Sequence, residues 1–350
     1  MRKYDYSFLK EKHLNQVVRL SNLISDINSK EILRKMQYED VFNELRKKAI
    51  IDSVSGSNLI EGISTSQKRF MQLMEEEKPM NHDEKEILGY KDALSYVHNN
   101  YLDLEIDEAL IKQLHYMIEK DVSEDAGEYK ARNNYIMETD ENSERRIRFY
   151  PVDYKDTPEA MKQLVLAYYE ARQDEEIDQL LLAICFVLDF LCIHPFRDGN
   201  GRVSRLLMLL MFYYAGYDIG RYVSIENTIN DYKSDYYYSL IQSSNNWHDN
   251  NNDYSPFIIF SLQILYRCYK TLDESLGEIS LKKAKKNERI RRIVLNSLIP
   301  ISKADIKEKL PDVSIRTIEA ELRKMMDSNE ITKIGNYKDA RYVSNNKNIE

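Results

Sequence analysis

The stretch His194-Pro195-Phe196-Arg197-Asp198-Gly199-Asn200-Gly201-Arg202-Val203-Ser204-Arg205 holds a base, a carboxylate, two glycines and a pair of spaced arginines. His194 can take up a proton near neutral pH. Asp198 supplies the hard oxygen that Mg²⁺ takes beside substrate phosphates. Gly199 and Gly201 flank Asn200, and glycines let a backbone approach a ligand closely. Arg202 and Arg205 stand three apart, a spacing that puts both on one helix face, where they can grip successive phosphates. These are together the parts for moving a phosphate-containing group onto a hydroxyl.

The flanking sequence says what must hold them. Apolar runs precede the stretch (Leu180 to Ile193) and follow it (Leu206 to Phe212). The pattern predicts a helix that ends, a tight Gly-Asn-Gly loop that turns, and a second helix with arginines in its first turns. Unpaired N–H groups at that second start favour an anion. Asp178 to Ile193 reads as the central core helix, with the reactive stretch at its end.

All of these residues fit one family pattern. The segment resembles the signature of the Fic family (Fic and Doc proteins), His-x-Phe-x-Asp/Glu-Gly-Asn-Gly-Arg-x-x-Arg, and matches it at every fixed position. The resemblance implies a mainly α fold, a Fic-type helical core with a β-hairpin flap, and transfer of AMP from ATP to a Ser, Thr or Tyr hydroxyl. It implies that His194 is the catalytic base and that Asp198 holds Mg²⁺ between the α- and β-phosphates. Gly199, Asn200 and Gly201 would form the anion-binding loop. Arg202 would hold the β-phosphate and Arg205 the γ-phosphate, with Phe196 as a core anchor. The Doc branch, which phosphorylates, departs at the Gly and final Arg positions, whereas this chain keeps Gly199 and Arg205.

Upstream, Ser57-Asn58-Leu59-Ile60-Glu61-Gly62 resembles the family's inhibitory pattern, Ser/Thr-x-x-x-Glu-Gly/Asn. It follows Val41, Leu45, Ala49 and Ile51, whose spacing predicts a helix with one buried face, ended by Gly62. By that likeness Glu61 pairs with Arg205 and takes the guanidinium fork that a γ-phosphate needs. The inhibitor is then part of the chain itself. A role for Glu61 in orienting water to remove AMP stays open.

Softer elements frame the site. Gly127-Glu128-Tyr129-Lys130-Ala131-Arg132 leads into two short β-prone runs, Asn134 to Met137 and Ile147 to Pro151, around the polar stretch Glu138 to Arg146. This reads as a hairpin, and the resemblance makes it the flap that pairs with a target segment. Tyr236 and Tyr237 sit where the family surrounds adenine. Ser244 and Asn245 stand where relatives carry an Asn, which leaves nucleobase choice open. Trp247 and His248 receive no role.

The chain has 350 residues and a net charge of −8, room for two or three domains. The expected division is an N-terminal helical region (1–90), a catalytic core (91–278) and a C-terminal domain (279–350). Glu75 to Glu86 reads as a solvated charged connection. No run approaches the ~20 apolar residues of a membrane span. The start lacks the apolar stretch of a secretory signal, and Cys185, Cys192 and Cys268 read as buried free thiols, so a cytoplasmic protein is expected. Richness in Lys, Ile, Asn and Tyr points to an AT-rich bacterial genome. From Leu281 to Asn345 there are 16 Lys and Arg against 9 Asp and Glu, an opposite balance to the rest. The pattern there is helix (Glu288 to Leu298), helix (Lys303 to Leu310), helix capped by Ser314 (through Met326), then strands Ile331 to Ile334 and Ala340 to Val343. It resembles the winged helix-turn-helix found at the C-terminus of many bacterial Fic proteins. Arg316, Thr317 and Arg323 would lie on its recognition helix and Lys338 or Arg341 on its wing, giving DNA as a partner.

The resulting expectation is an AMP-transferring enzyme restrained by its own Glu61, using ATP and Mg²⁺ on an unidentified target protein and on itself. A homodimer fits the family habit. The alternatives are transfer of another nucleotide, removal of AMP, and a transcriptional regulator whose Fic-like core senses a ligand.

Overall fold

Helix follows helix along most of the chain, in line with the expected mainly α class. The computed structural model describes residues 2–11, 14–75, 77–139, 145–283, 286–297, 300–335 and 340–345. The chain divides into two compact units, Met1–Leu272 and Asp273–Glu350. Among the described residues no helix is long and apolar enough to cross a membrane.

In the first unit, α1 (Asn15–Gln37) precedes α2 (Glu39–Ile60). The α2 face predicted from sequence is buried at Val41 and Ala49, and it continues through Ser53, Gly56, Ser57 and Ile60 rather than Ile51, which is half-buried. Gly62, at φ +83, closes α2. Its N–H donates to the Leu59 carbonyl at 3.1 Å, and the Ile63 N–H reaches the Asn58 carbonyl at 2.9 Å. This paired closure satisfies the last carbonyls of the helix and needs the left-handed backbone that glycine adopts without strain.

Next come α3 (Gln67–Met74), α4 (His82–Asn100) and α5 (Glu108–Glu119). Here the expected solvated connection fails at its end. Glu84 and Glu86 belong to α4 and are 3% and 7% exposed. Arg69 binds the Glu84 carboxylate through two nitrogens, each at 3.0 Å, which is why a charged residue can sit inside there.

β1 (Ile136–Thr139) and β2 (Arg145–Phe149) form an antiparallel hairpin with an irregularity between Ile136 and Met137. The hairpin therefore extends further into the polar stretch than the apolar runs suggested; residues 140–144 of that stretch lie outside the described residues. After α6 (Thr157–Arg172) comes α7 (Gln179–Ile193), capped by the Asp178 carboxylate and buried at every position from Leu180 to Ile193. That is the central helix the sequence predicted. α8 (Asn200–Tyr214) packs along it. α9 (Ile225–Asp231) crosses α2, α10 (Lys233–Ser244) lies against α7, and α11 (Ser255–Lys283) follows. The three cysteines are buried free thiols.

The second unit runs α12 (Lys286–Asn296), β3 (Ile301–Ser302), α13 (Lys303–Lys309), α14 (Ile315–Asp327), β4 (Ile331–Ile334) and β5 (Arg341–Ser344). β5 lies between β3 and β4 in an antiparallel sheet, and β3 is a strand too short to be read from sequence. Ile290, Val294, Ile306, Val313, Ile318, Leu322, Met325 and Tyr342 form its core. Ser314 caps α14 as expected, accepting from the Thr317 N–H at 3.2 Å. Arg316 and Arg323 are exposed on α14. Arg341 donates to the Pro300 carbonyl, and Lys338 lies outside the described residues.

Candidate active site

α7 stops because His194 takes a left-handed conformation, φ 51 and ψ 61. The turn occupies Pro195 to Gly199, and α8 begins at Asn200. Asn200 and Gly201 are thus the first residues of the helix, not a loop. The side chain of Asn200 accepts from the Phe196 N–H at 2.9 Å and donates to the Phe196 carbonyl at 2.8 Å. It staples the turn, and its side chain is not offered to an anion; the first N–H groups of α8 lack intrahelical partners by geometry.

Residues outside the signature grip the turn as well. Lys130 donates through its ammonium to the Ile193 carbonyl at 3.1 Å and through its backbone to the Pro195 carbonyl at 2.8 Å. Asn134 donates to the Phe196 carbonyl at 2.8 Å. His115 stacks on Phe196 with ring centroids 3.8 Å apart and 3° between planes. Its Nδ1 accepts from the Gly127 N–H at 2.9 Å, so its Nε2 carries the proton and donates to the Asp198 carbonyl at 3.2 Å. Burial draws the His115 pKa down to about 4, which suits that neutral form.

His194 itself is half-buried and lines a cavity of about 410 Å³. Its Nδ1 lies 3.2 Å from the Leu191 carbonyl. A carbonyl can only accept, so the proton sits on Nδ1 and the Nε2 lone pair is left as a base. Burial lowers its pKa to about 4, keeping that lone pair unprotonated at neutral pH. Asp198 is exposed beside the start of α8, with one carboxylate oxygen accepting from the Gly199 N–H at 2.7 Å.

The two arginines part company. Arg202 is 2% exposed, and its guanidinium lies 2.5 Å from Glu86 and 2.7 Å from Glu119. It does not line the cavity. The two arginines expected to face one ligand thus have different surroundings: carboxylates from α4 and α5 hold Arg202. Burial raises the Glu119 pKa, against the opposing pull of Arg202. Arg205 does line the cavity. Its Nε donates to Ser57 Oγ at 2.9 Å, and its Nη2 to the Ser57 carbonyl at 3.0 Å and to Glu61 Oε1 at 2.7 Å. The Glu61 carboxylate crosses directly over Gly201, where any Cβ would overlap it. So Ser57, Glu61, Gly201 and Arg205 are brought together.

Residues 105–212 match the family model described as Fic/DOC family. The chain carries a Fic domain. A Fido domain-containing protein of Dictyostelium discoideum is 26% identical over 118 residues, 33% of this chain and 78% of that protein. A Fic family protein from Desulfovibrio desulfuricans G20 has a similar fold, with TM-score 0.62 at 19% identity over 97% of this chain and 99% of that one. A Fic domain containing signaling protein from Bacteroides thetaiotaomicron aligns at TM-score 0.58 and 22% identity, over 75% of this chain and 98% of its own. Fic domain proteins commonly transfer a nucleoside monophosphate to targets.

The cavity beside the Fic signature is lined by both polar and apolar groups. Glu61, Gly201, Arg205 and His194 border one part, and Arg148 of the hairpin donates to Ser244 Oγ at 3.2 Å in another. Tyr236 is buried and Tyr237 half-exposed, and both line the cavity. Tyr237 donates to the Ile60 carbonyl at 3.3 Å, so it also touches the turn that carries Glu61.

Sequence reasoning passed over several supports of the Fic domain. Trp247 is fully buried and donates to Asp189 of α7 at 2.6 Å. Asp189 also accepts from Tyr6 at 2.9 Å and Tyr254 at 2.8 Å, and lies 3.4 Å from Arg2. Burial raises its pKa, and the cation with these donors opposes that rise. His248 stacks on Phe149 of the hairpin and bonds the Tyr150 carbonyl at 2.7 Å. A charged residue inside the otherwise apolar α7 run was the one available signal for Asp189.

Proposed function

We propose that the protein is an adenylyltransferase that moves AMP from ATP to a Ser, Thr or Tyr hydroxyl of a target protein, and of itself, under restraint by Glu61. The observation that carries the reading is the neutral, cavity-lining His194, with its free Nε2, beside the cavity-lining Arg205. His194 Nε2 takes the target hydroxyl proton as the hydroxyl oxygen bonds to the α-phosphorus. The bond from the α-phosphorus to the bridging oxygen breaks, and pyrophosphate leaves with that electron pair. Arg205 and the first N–H groups of α8 stabilise the charge of the leaving phosphates.

The donor set fits Mg²⁺: one exposed carboxylate, Asp198, next to a phosphate-binding helix start is the partial shell this ion completes with phosphate and water. Bound there, the ion would neutralise charge on the phosphates. Arg202, clamped by Glu86 and Glu119, acts in this reading by fixing α8, and reaches a β-phosphate only if that clamp opens. Tyr236 and Tyr237 wall the base. The hairpin presents a strand edge to a target segment.

Glu61 restrains the enzyme by occupying Arg205, the same guanidinium that the γ-phosphate requires. The exposed Arg316 and Arg323 on α14, within an α-β-α-α-β-β unit, support a winged helix that binds DNA through them. This favours a second reading, a regulator in which the nucleotide cavity senses a ligand.

Intact-mass measurement after incubation with ATP and Mg²⁺ separates them. One added AMP, lost in His194→Ala, supports the transferase. An unmodified Glu61→Gly variant removes it. DNA affinity that falls steeply with salt supports the second reading, and no binding to duplex at low salt ends it.

A further inference from the structure

The cavity beside the Fic signature holds a second cation, Arg148, well away from Arg205. One face of α10 measures the separation. Tyr237, Leu240, Ile241 and Ser244 all line the cavity, at the three- and four-residue spacing that keeps side chains on one side of a helix. Tyr237 touches the turn of Glu61 through the Ile60 carbonyl. Ser244 lies two turns further, about 10 Å along the helix axis. A nucleotide with its phosphates at Arg205 and its base laid on Leu240 and Ile241 therefore turns the edge of that base toward Ser244.

Arg148 of β2 stands at that edge. It is half-buried and lines the cavity. Its Nη1 donates to Ser244 Oγ at 3.2 Å, and its guanidinium carbon lies 6.0 Å from the centre of the Phe149 ring, also a lining residue. Burial pushes up the thiol of Cys192, another lining residue, and the cations Arg2 and Arg148 oppose that rise. These neighbours place the charged group of Arg148, and not only its stem, at the cavity wall. Glu61 is the one carboxylate among the lining residues, and it is bonded to Arg205. Among the described residues no Asn or Gln lines the cavity.

A guanidinium donates and never accepts. Guanine offers O6 and N7 as adjacent acceptors, which an arginine fork meets with two parallel bonds. Adenine carries a donor amine where guanine has O6, so it meets Arg148 donor to donor, and no carboxylate or amide side chain stands there to receive that amine. We propose that the cavity takes guanine nucleotides, with Arg148 reading O6 and N7, so that GTP is a donor for this transferase alongside ATP. ATP keeps the triphosphate contacts and the apolar lining, neither of which reads the edge of a base. The inference rests on the nucleotidyl-transfer reading and extends it to a second base. The step balances in the same way: the target hydroxyl oxygen bonds to the α-phosphorus of GTP and its proton goes to His194 Nε2. The bond from that phosphorus to the bridging oxygen breaks, and pyrophosphate leaves with the electron pair.

Calorimetry with Mg²⁺ on the full chain carrying Glu61→Gly, which releases Arg205, compares four nucleotides. GTP is expected to bind at least as tightly as ATP. ITP, which keeps O6 and N7 and lacks the 2-amino group, matches GTP. 7-deaza-GTP, with carbon in place of N7, binds about tenfold more weakly than GTP. Adding Arg148→Met lowers the ratio of GTP affinity to ATP affinity about tenfold, and Arg148→Lys, which still donates, restores part of it. GTP binding more weakly than ATP, or 7-deaza-GTP binding as tightly as GTP, overturns the base assignment, and both comparisons stand if the Arg148 variants do not fold. An unaltered affinity ratio in a folded Arg148→Met overturns the role of Arg148. Labelling with α-³²P GTP then tests transfer: label that is lost in His194→Ala supports it, and GTP bound without label overturns it. ATP bound while GTP is not contradicts this inference alone, whereas failure of every nucleotide to bind contradicts the nucleotidyl-transfer reading with it.

Discussion

Glu61 Oε1 lies 2.7 Å from Arg205 Nη2 and fills the space that a Cβ on residue 201 would take. The plug and the absence of a side chain beneath it are one arrangement. Gly201→Ala cannot keep the carboxylate in place, and the Glu61 side chain is about one-third exposed, so it has somewhere to go. The variant is expected to lose no more than about 1 kcal/mol of stability. Hydrogen exchange at the Gly62 and Ile63 amides should quicken relative to wild type. Unchanged exchange there would mean that the turn does not depend on the Glu61 contact.

The Arg202 clamp makes a different prediction. Both carboxylates that face this arginine are buried, with side chains 9% and 5% exposed. Removing one charge leaves a buried cation with half its compensation, which costs about 3 kcal/mol. Glu86→Gln and Glu119→Gln are each expected to lower the thermal midpoint clearly. Because they share Arg202, the double variant should depart from the sum of the singles. Midpoints within a degree or so of wild type for both would show that the clamp is dispensable.

The fold class and the central part of the site were legible because periodicity and short-range spacing carry them. The apolar run before His194 had to be a buried helix, and Gly62 had to end another. The Arg202 clamp was not legible. Glu86 and Glu119 are far apart in sequence and look like ordinary surface acids, and only tertiary packing turns them inward. The same holds for His115, whose stacking on Phe196 leaves no local pattern, and for Trp247, whose partner Asp189 lies on another helix. The roles expected of Asn200 and Arg202 were drawn from a signature. The contacts that hold Asn200 to Phe196 and Arg202 to Glu86 and Glu119 are visible only in the folded chain.

Asp189 anchors α7 to the N-terminal segment through Tyr6 and Arg2. Asp189→Asn keeps the shape and loses the charge and part of the accepting capacity. With the Arg2 cation left unpaired, a stability loss of about 2–3 kcal/mol is expected, with earlier proteolytic cleavage near the N-terminus. Wild-type resistance to limited proteolysis would contradict the anchoring role.

Acid should destabilise the fold through its neutral histidines. Burial lowers His98 and His115 from 6.5 to about 4. Below the unfolded value the unfolded chain binds the proton and the folded one does not, so stability is complete above about pH 6.5 and is lost as pH falls toward 4. Each histidine accounts for up to about 3 kcal/mol across that window. His115→Gln should flatten the fall of unfolding free energy between these pH values. An undiminished slope would show that His115 is not neutral in the folded protein.

The central claim is that Glu61 withholds Arg205 from the nucleotide, and labelling with α-³²P ATP and Mg²⁺ tests it most directly. Self-labelling by Glu61→Gly is expected to exceed wild type by at least about tenfold, equivalent to ~1.4 kcal/mol of relieved restraint, and to vanish when His194→Ala is added. Equal labelling of wild type and Glu61→Gly would contradict the restraint, and labelling that survives the loss of His194 would contradict the chemistry assigned to the site.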